Sequence, residues 1–180
     1  EFSSATFSTV DNLPPQITQF RYVNDGEDSV DPHEPSERLT GVPTEIDLMM
    51  VFDEDVEMVE GNLTLFKKVM GDDDQEIGTI SIPGDNVSGN NSPEITVTSG
   101  DPLESSVEYY IQIDAGSFKD ASDNEFEGID DATTWNFITL DEEPPEYESH
   151  MFRPDPDNDG LFHTEDDNAI IEITFSEPVV

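Results

Sequence analysis

The chain has 180 residues, 44 of them acidic and 6 basic, for a formal net charge of −38, and it contains no cysteine. This composition excludes disulfides, thiolate metal sites and a cysteine nucleophile. It also argues against nucleic acid and anionic membrane surfaces as partners, because both are bound through clustered Lys and Arg. Apolar residues make up 33%, below the roughly 45–50% of typical globular domains, so the local pattern must decide whether the chain folds.

Taken in order, the pattern predicts strands near 16–23, 45–53, 62–70, 76–82, 93–98, 107–114 and 133–140. Asp47-Leu48-Met49-Met50-Val51-Phe52 is a compact apolar run, and Glu108-Tyr109-Tyr110-Ile111-Gln112-Ile113 is rich in β-branched and aromatic residues. Ile170-Ile171-Glu172-Ile173-Thr174-Phe175 repeats that character near the end. Turn signals separate the runs: Asn24-Asp25-Gly26, Gly71-Asp72-Asp73-Asp74, Pro83-Gly84-Asp85-Asn86 and Ser99-Gly100-Asp101-Pro102. No stretch carries a sustained apolar stripe at helical spacing. The expected fold is an all-β, antiparallel β-sandwich of about seven strands.

No apolar run approaches the ~18 residues of a membrane-spanning helix. Glu1-Phe2-Ser3 opens neither a basic n-region nor an apolar h-region of a signal peptide. The charge repels itself and weakens the compact state. High salt relieves that repulsion by shortening the Debye length to about 3 Å at 1 M, and bound divalent cations relieve it directly. Both settings point to an extracellular, cell-surface or secreted location.

Two pairs of segments resemble each other. Phe7-Ser8-Thr9-Val10-Asp11-Asn12-Leu13-Pro14-Pro15 runs beside Phe137-Ile138-Thr139-Leu140-Asp141-Glu142-Glu143-Pro144-Pro145, at an offset of 130. The stretch 46–56 resembles 169–179 at an offset of 123, sharing Phe-x-Glu-x-Val. The reading is a tandem repeat cut out of phase from something longer. Residues 1–10 are the last strand of a preceding repeat, 11–140 a complete repeat, and 141–180 the linker and first two strands of the next. The Pro-Pro segments are stiff junctions.

The order of anchors resembles the SbsA-type bacterial Ig-like repeat of S-layer proteins. Those anchors are Pro14-Pro15, Gly41-Val42-Pro43, Phe52-x-Glu54-x-Val56, Leu103-x5-Tyr109, Asp120-x3-Asn124 and Trp135-x-Phe137-x-Thr139. Phe175-Ser176-Glu177-Pro178-Val179 matches that family's strand end residue for residue. Asp53, Asp55 and Asp123 depart from its usual Ser, Pro and Gly. The resemblance implies that the all-β sandwich is an Ig-like antiparallel β-sandwich of about seven strands, and that the chain is a surface-layer, adhesin or enzyme-accessory stalk.

Among the carboxylates, Asp155-Pro156-Asp157-Asn158-Asp159-Gly160 has the Asp-x-Asp-x-Asp-Gly opening of a calcium loop, with Asp166 at position 12. Alternate oxygens converge on one hard cation, and Gly permits the turn. Further calcium ligands are expected at Asp120, Asp123 and Asn124 with Asp130 and Asp131, at Asp25, Asp28 and Asp31, and at the junction residues Asp11 and Asp141. The competing reading is a solvated acidic turn, as for Asp72-Asp73-Asp74, and at Asp11 and Asp141 a Pro-Pro linker that simply begins with an acid.

Catalytic signals are poor. His33, His150 and His163 are scattered, and no nucleophile elbow or phosphate loop occurs. Trp135, Phe137, Phe52, Phe66, Phe118 and Tyr109 are expected in the core, with Tyr109 as a tyrosine-corner residue. An outward Tyr22, Tyr110 and Tyr147 would be the hint of sugar stacking. Glycosylation sequons begin at Asn62, Asn86 and Asn90. The expectation is therefore a non-catalytic structural repeat of a large surface protein, stiffened by calcium at loops and junctions. Its partners would be neighbouring Ig-like repeats, with self-assembly into an array or filament. The alternatives are a carbohydrate- or partner-binding module, or an accessory domain of a secreted enzyme.

Overall fold

The computed structural model describes residues 11–23, 33–98, 100–153 and 170–179. The chain divides into two compact units, Glu1–Asp141 and Glu142–Val180.

The first unit holds two five-stranded sheets. One contains β1 (Ile17–Val23), β3 (Asp47–Met58), β7 (Ser92–Thr98) and β6 (Val87–Ser88), in the order β1-β3-β7-β6, with β9 (Phe118–Lys119) also paired to β3. The other runs β2 (Leu39–Val42), β10 (Asn136–Thr139), β8 (Glu108–Ile113), β4 (Gly61–Lys67), β5 (Gln75–Ile82). The second unit is a hairpin of β11 (Tyr147–Arg153) and β12 (Ile170–Phe175).

Alternation of side chains decides which face is buried. On β1, Phe20 and Tyr22 point inward; on β3, Leu48, Met50, Phe52 and Val56 do. From the opposite sheet come Leu63, Tyr109, Ile111, Ile113 and Phe137. Trp135, just before β10, is fully buried and stacks on Phe20 with ring centroids 4.3 Å apart. Phe137 meets Tyr22 edge-on at 5.2 Å and Tyr109 at 5.7 Å. A second aromatic group, Phe52, Phe118 and Phe126, fills the end where β9 crosses β3. Each such side chain contributes roughly 1.5–3 kcal/mol by leaving water. That is what opposes the self-repulsion of the charge.

Tyr109 holds the loop before β8. The Glu104 N–H donates to the Tyr109 hydroxyl at 3.0 Å. Thr139 braces the same loop: its hydroxyl donates to the Glu104 carbonyl at 2.7 Å and accepts from the Val107 N–H at 2.9 Å. This is the corner expected of Tyr109.

Three expectations are corrected. The first unit has ten strands among the described residues, rather than about seven. The three added strands, β2, β6 and β9, are short, and two of them span only two residues, too few for a periodic signal. The sandwich is not purely antiparallel, because β2 pairs parallel to β10, with Phe137 opposite Leu39. Phe66 is not in the core. The register shifts between Leu65 and Phe66, and Phe66 stacks on Tyr110 at 4.9 Å, half-buried.

Candidate functional site

One end of the first unit gathers three carboxylates. Asp11, Glu54 on β3 and Asp120 just after β9 each place an oxygen within 4.8 Å of the other two. Asp11 is exposed, Glu54 half-buried, and Asp120 only 2% exposed.

Local structure fixes each. Asp120 closes a tight loop: one carboxylate oxygen accepts from the Ser122 and Asn124 N–H groups at 2.8 Å each, the other from the Asn124 side-chain amide at 2.7 Å. The same amide donates to the Asp11 carbonyl at 3.3 Å, tying the entering chain to this loop. Asp53 ties it again, accepting from the Gln16 N–H at 2.8 Å. Pairing of β3 with β9 through Glu57 and Lys119 brings Glu54 alongside.

The electrostatics follow from this crowding. Burial, then the charges of Asp120, Asp11, Asp53 and Asp55, push the Glu54 carboxyl up. Burial acts the same way on Asp120, but its hydrogen bonds from Asn124 and Ser122 outweigh it and hold that carboxyl down. The donor set is all oxygen, which suits a hard cation such as Ca²⁺ rather than zinc or copper.

The sequence-read ligands are distributed differently. Asp120 and Asp11 lie in this cluster, whereas the Asn124 side-chain amide donates to Asp120 and to the Asp11 carbonyl beside it. Asp123 is turned to the Lys119 ammonium at 2.7 Å. Asp131 binds its own turn: it accepts from the Thr133 and Thr134 N–H groups and hydroxyls at 2.6–2.8 Å. Those bonds hold its pKa down to about 2. Asp130 is exposed. Asp141 accepts from the Ser105 hydroxyl at 3.4 Å and is not a member of the Asp11 cluster. The Asp155, Asp157, Asp159 and Asp166 loop lies outside the described residues, as do Asp25, Asp28 and Asp31. Glu54 is the member of the carboxylate cluster that the sequence reading does not single out, although it stands in the Phe-x-Glu-x-Val repeated at 52–56 and 175–179.

A cleft of about 330 Å³ opens between the sheets beside β5. Leu48, Leu63, Leu65, Ile80 and Leu103 line it, and Asn86, Asp101 and Glu104 also border it. The sugar-stacking trio does not form: Tyr22 and Tyr110 are buried, and only Tyr147 is exposed. Asn86 and Asn90 are exposed, whereas Asn62 is half-buried, its side-chain amide bonded to Asp114 at 2.9 Å.

His33 is buried between Phe20 and Tyr22, parallel to the Tyr22 ring at 5.5 Å, and neither ring nitrogen has a hydrogen-bond partner. Burial pushes its pKa down, only partly opposed by Glu37 and the backbone bond to Phe20. Such a histidine is a core residue, not an exposed base.

No curated protein and no solved structure matches the chain. The family model described as "Bacterial Ig-like domain" matches residues 25–139, most of the first unit. Domains of that kind are usually found in surface or extracellular proteins and are generally non-catalytic. With two packed sheets, a buried Trp135 and the Tyr109 corner already in place, the chain belongs to the bacterial Ig-like domain family.

Proposed function

We propose that the chain is a structural, non-catalytic part of a large extracellular surface protein. An S-layer, an adhesin stalk or a filament of the SbsA-type kind fits best. Calcium stiffens it, held by Asp11, Glu54 and Asp120. The observation that carries this reading is the convergence of those three carboxylates where the chain enters the sandwich. Asp11 precedes Pro14-Pro15, so a cation shared with Glu54 and Asp120 clamps a junction segment to the body of the domain. Neighbouring Ig-like domains are the partners this implies. The anchors resembling the SbsA type, from Gly41-Val42-Pro43 to Trp135-x-Phe137-x-Thr139, support the finer assignment.

Calcium titration by calorimetry tests the site. Extracellular calcium modules bind at about 10⁻⁴–10⁻³ M, and binding in that range is expected. The Glu54→Gln and Asp11→Asn double variant removes it, apart from any heat due to the 155–166 loop, which Asp155→Asn and Asp157→Asn remove separately. An unchanged isotherm in the Glu54 double variant refutes the site.

One feature favours a second reading, a partner-binding module or enzyme-accessory domain: the apolar cleft beside β5. Chemical-shift changes confined to Leu48, Leu63 and Leu103 on titration with apolar fragments support that reading. Buried Tyr22 and Tyr110 count against carbohydrate stacking.

A further inference from the structure

The hairpin of the second unit repeats the β1–β3 pair of the first, position for position. Ile17 faces Phe52, and Tyr147 faces Phe175; the first members differ by 130 positions and the second by 123. Every later pair keeps those differences. Phe20↔Met50 becomes His150↔Ile173, Tyr22↔Leu48 becomes Phe152↔Ile171, and Val23↔Asp47 becomes Arg153↔Ile170. The irregularity is also shared. The register shifts between Ile17 and Gln19 in one pair, and between Tyr147 and Ser149 in the other.

The clasp at the open end recurs as well. The Asp53 N–H donates to the Gln16 carbonyl at 2.9 Å, and the Ser176 N–H to the Glu146 carbonyl at 2.8 Å. In return the Gln16 N–H donates to the Asp53 carboxylate at 2.8 Å, and the Glu146 N–H to the Ser176 hydroxyl at 2.9 Å. A one-residue slip in either strand would exchange the two faces. Shared register therefore means a shared inward face.

What differs is the covering. Leu48 and Met50 are 2% and 0% exposed, whereas their counterparts Ile171 and Ile173 are 55% and 52% exposed. In the first unit, β7 covers the free edge of β3, with Ile95 opposite Met50, and Trp135 and Phe137 lie across the face.

We infer that the β11–β12 hairpin is the opening pair of a second Ig-like unit. Its Ile171–Ile173–Phe175 face and the edge of β12 opposite β11, which pairs with no other strand among the described residues, are then a docking surface for the remaining strands of such a unit. The occupant is a β7-like strand antiparallel to β12, with an apolar residue opposite Ile173, backed by a sheet carrying aromatics at the Trp135 and Phe137 positions. The inference deepens the structural reading and is independent of calcium.

The test extends the full chain with its own strands, residues 1–177 followed by 55–140, so that Glu177 takes the place of Glu54. Amides of 147–153 and 170–175 are expected to slow in hydrogen exchange by about a hundredfold or more relative to the 180-residue chain, as they join a cooperative unit. In a second chimera, residues 142–177 replace 12–54 of the full chain. It is expected to unfold cooperatively with Trp135 buried, whereas the same graft with Glu172 deleted from within β12, which exchanges the faces of the residues on one side of the deletion, is not. Unprotected hairpin amides in the first chimera, together with no cooperative transition in the second, overturn the inference. So does equal folding of the in-register and deleted grafts. Concentration-dependent protection of the hairpin in the unextended chain would assign the face to a second copy, and overturns it too. Calcium heats play no part in these readouts, so failure here and failure of the calcium site are distinguishable.

Discussion

The β1–β3 pair and the β11–β12 hairpin have one backbone plan and opposite surroundings. Both carry the same register, the same shift and the same clasp. In one, Leu48 and Met50 are buried in the same core as Trp135 and Phe137; in the other, Ile171 and Ile173 face water. Local pairing is thus set by the strand sequences and the open-end clasp. Burial, and with it most of the stability, comes from strands distant in the chain. A two-stranded hairpin is marginal by itself, so the same plan yields a core in one place and a surface in the other.

The largest effect that separates the two regions is truncation of the inward face. Met50→Ala should cost about 2–5 kcal/mol, the range for a buried Met with a residual cavity. Ile173→Ala, its register equivalent, should stay within about 0.5 kcal/mol. Urea unfolding followed by Trp135 fluorescence reads the first, and hydrogen exchange of the 147–153 and 170–175 amides reads the second; equal costs would break the comparison.

Next comes the backbone of the covering strand. Gly89, at φ +102°, leads into β7, and a Cβ there would lie 2.0 Å from the Glu94 carbonyl oxygen. Gly89→Ala should destabilise the first unit by about 1–3 kcal/mol, visible as a lower melting temperature, and should loosen β7 from β3. An unchanged melting temperature would show that β7 is not what seals β3.

A smaller effect sharpens the contrast through pH. The folded pKa of His33 lies below its ordinary value, so the unfolded chain binds the proton more readily. Stability should be full above about pH 6.5 and decline as pH falls below it, flattening once the folded histidine also titrates. His33→Phe should remove that slope in a pH series of urea midpoints. A slope that survives the substitution would mean that some other group drives it.

Smallest is the Asp131 turn at the entry to β10. Its pKa of about 2 against an ordinary 3.8 means the stabilisation is present above pH 3.8 and lost as pH falls through about 2. Asp131 is exposed, so screening limits Asp131→Ala to about 1 kcal/mol at neutral pH, a loss that shrinks as pH falls below 3.8 and vanishes below about 2.

Much of the fold was legible. Aromatic and β-branched runs located seven strands, and Leu103-x5-Tyr109 announced the corner that the Glu104 N–H completes. What escaped was decided by distant partners. Gly41-Val42-Pro43 read as a lead-in, yet Leu39–Val42 is a strand because β10 pairs with it in parallel. Asp47–Met58 continues through Asp53, Glu54 and Asp55, where acids mask the alternation that Val56 resumes. The carboxylate cluster was only half legible, because 44 acids make every grouping plausible by count. Three residues far apart in sequence meet only once β3 and β9 pair.

Thermal unfolding of the whole chain in millimolar calcium, in EDTA, in matched magnesium and in high sodium chloride tests the calcium-stiffened structural role most directly. The account predicts a rise in melting temperature with calcium that matched magnesium and sodium do not reproduce, since a ligand bound only by the folded state stabilises it by mass action. Glu54→Gln should reduce that rise. Equal rescue by every salt would contradict the account, leaving charge screening as the whole effect and the Asp11, Glu54 and Asp120 cluster as a solvated acidic surface.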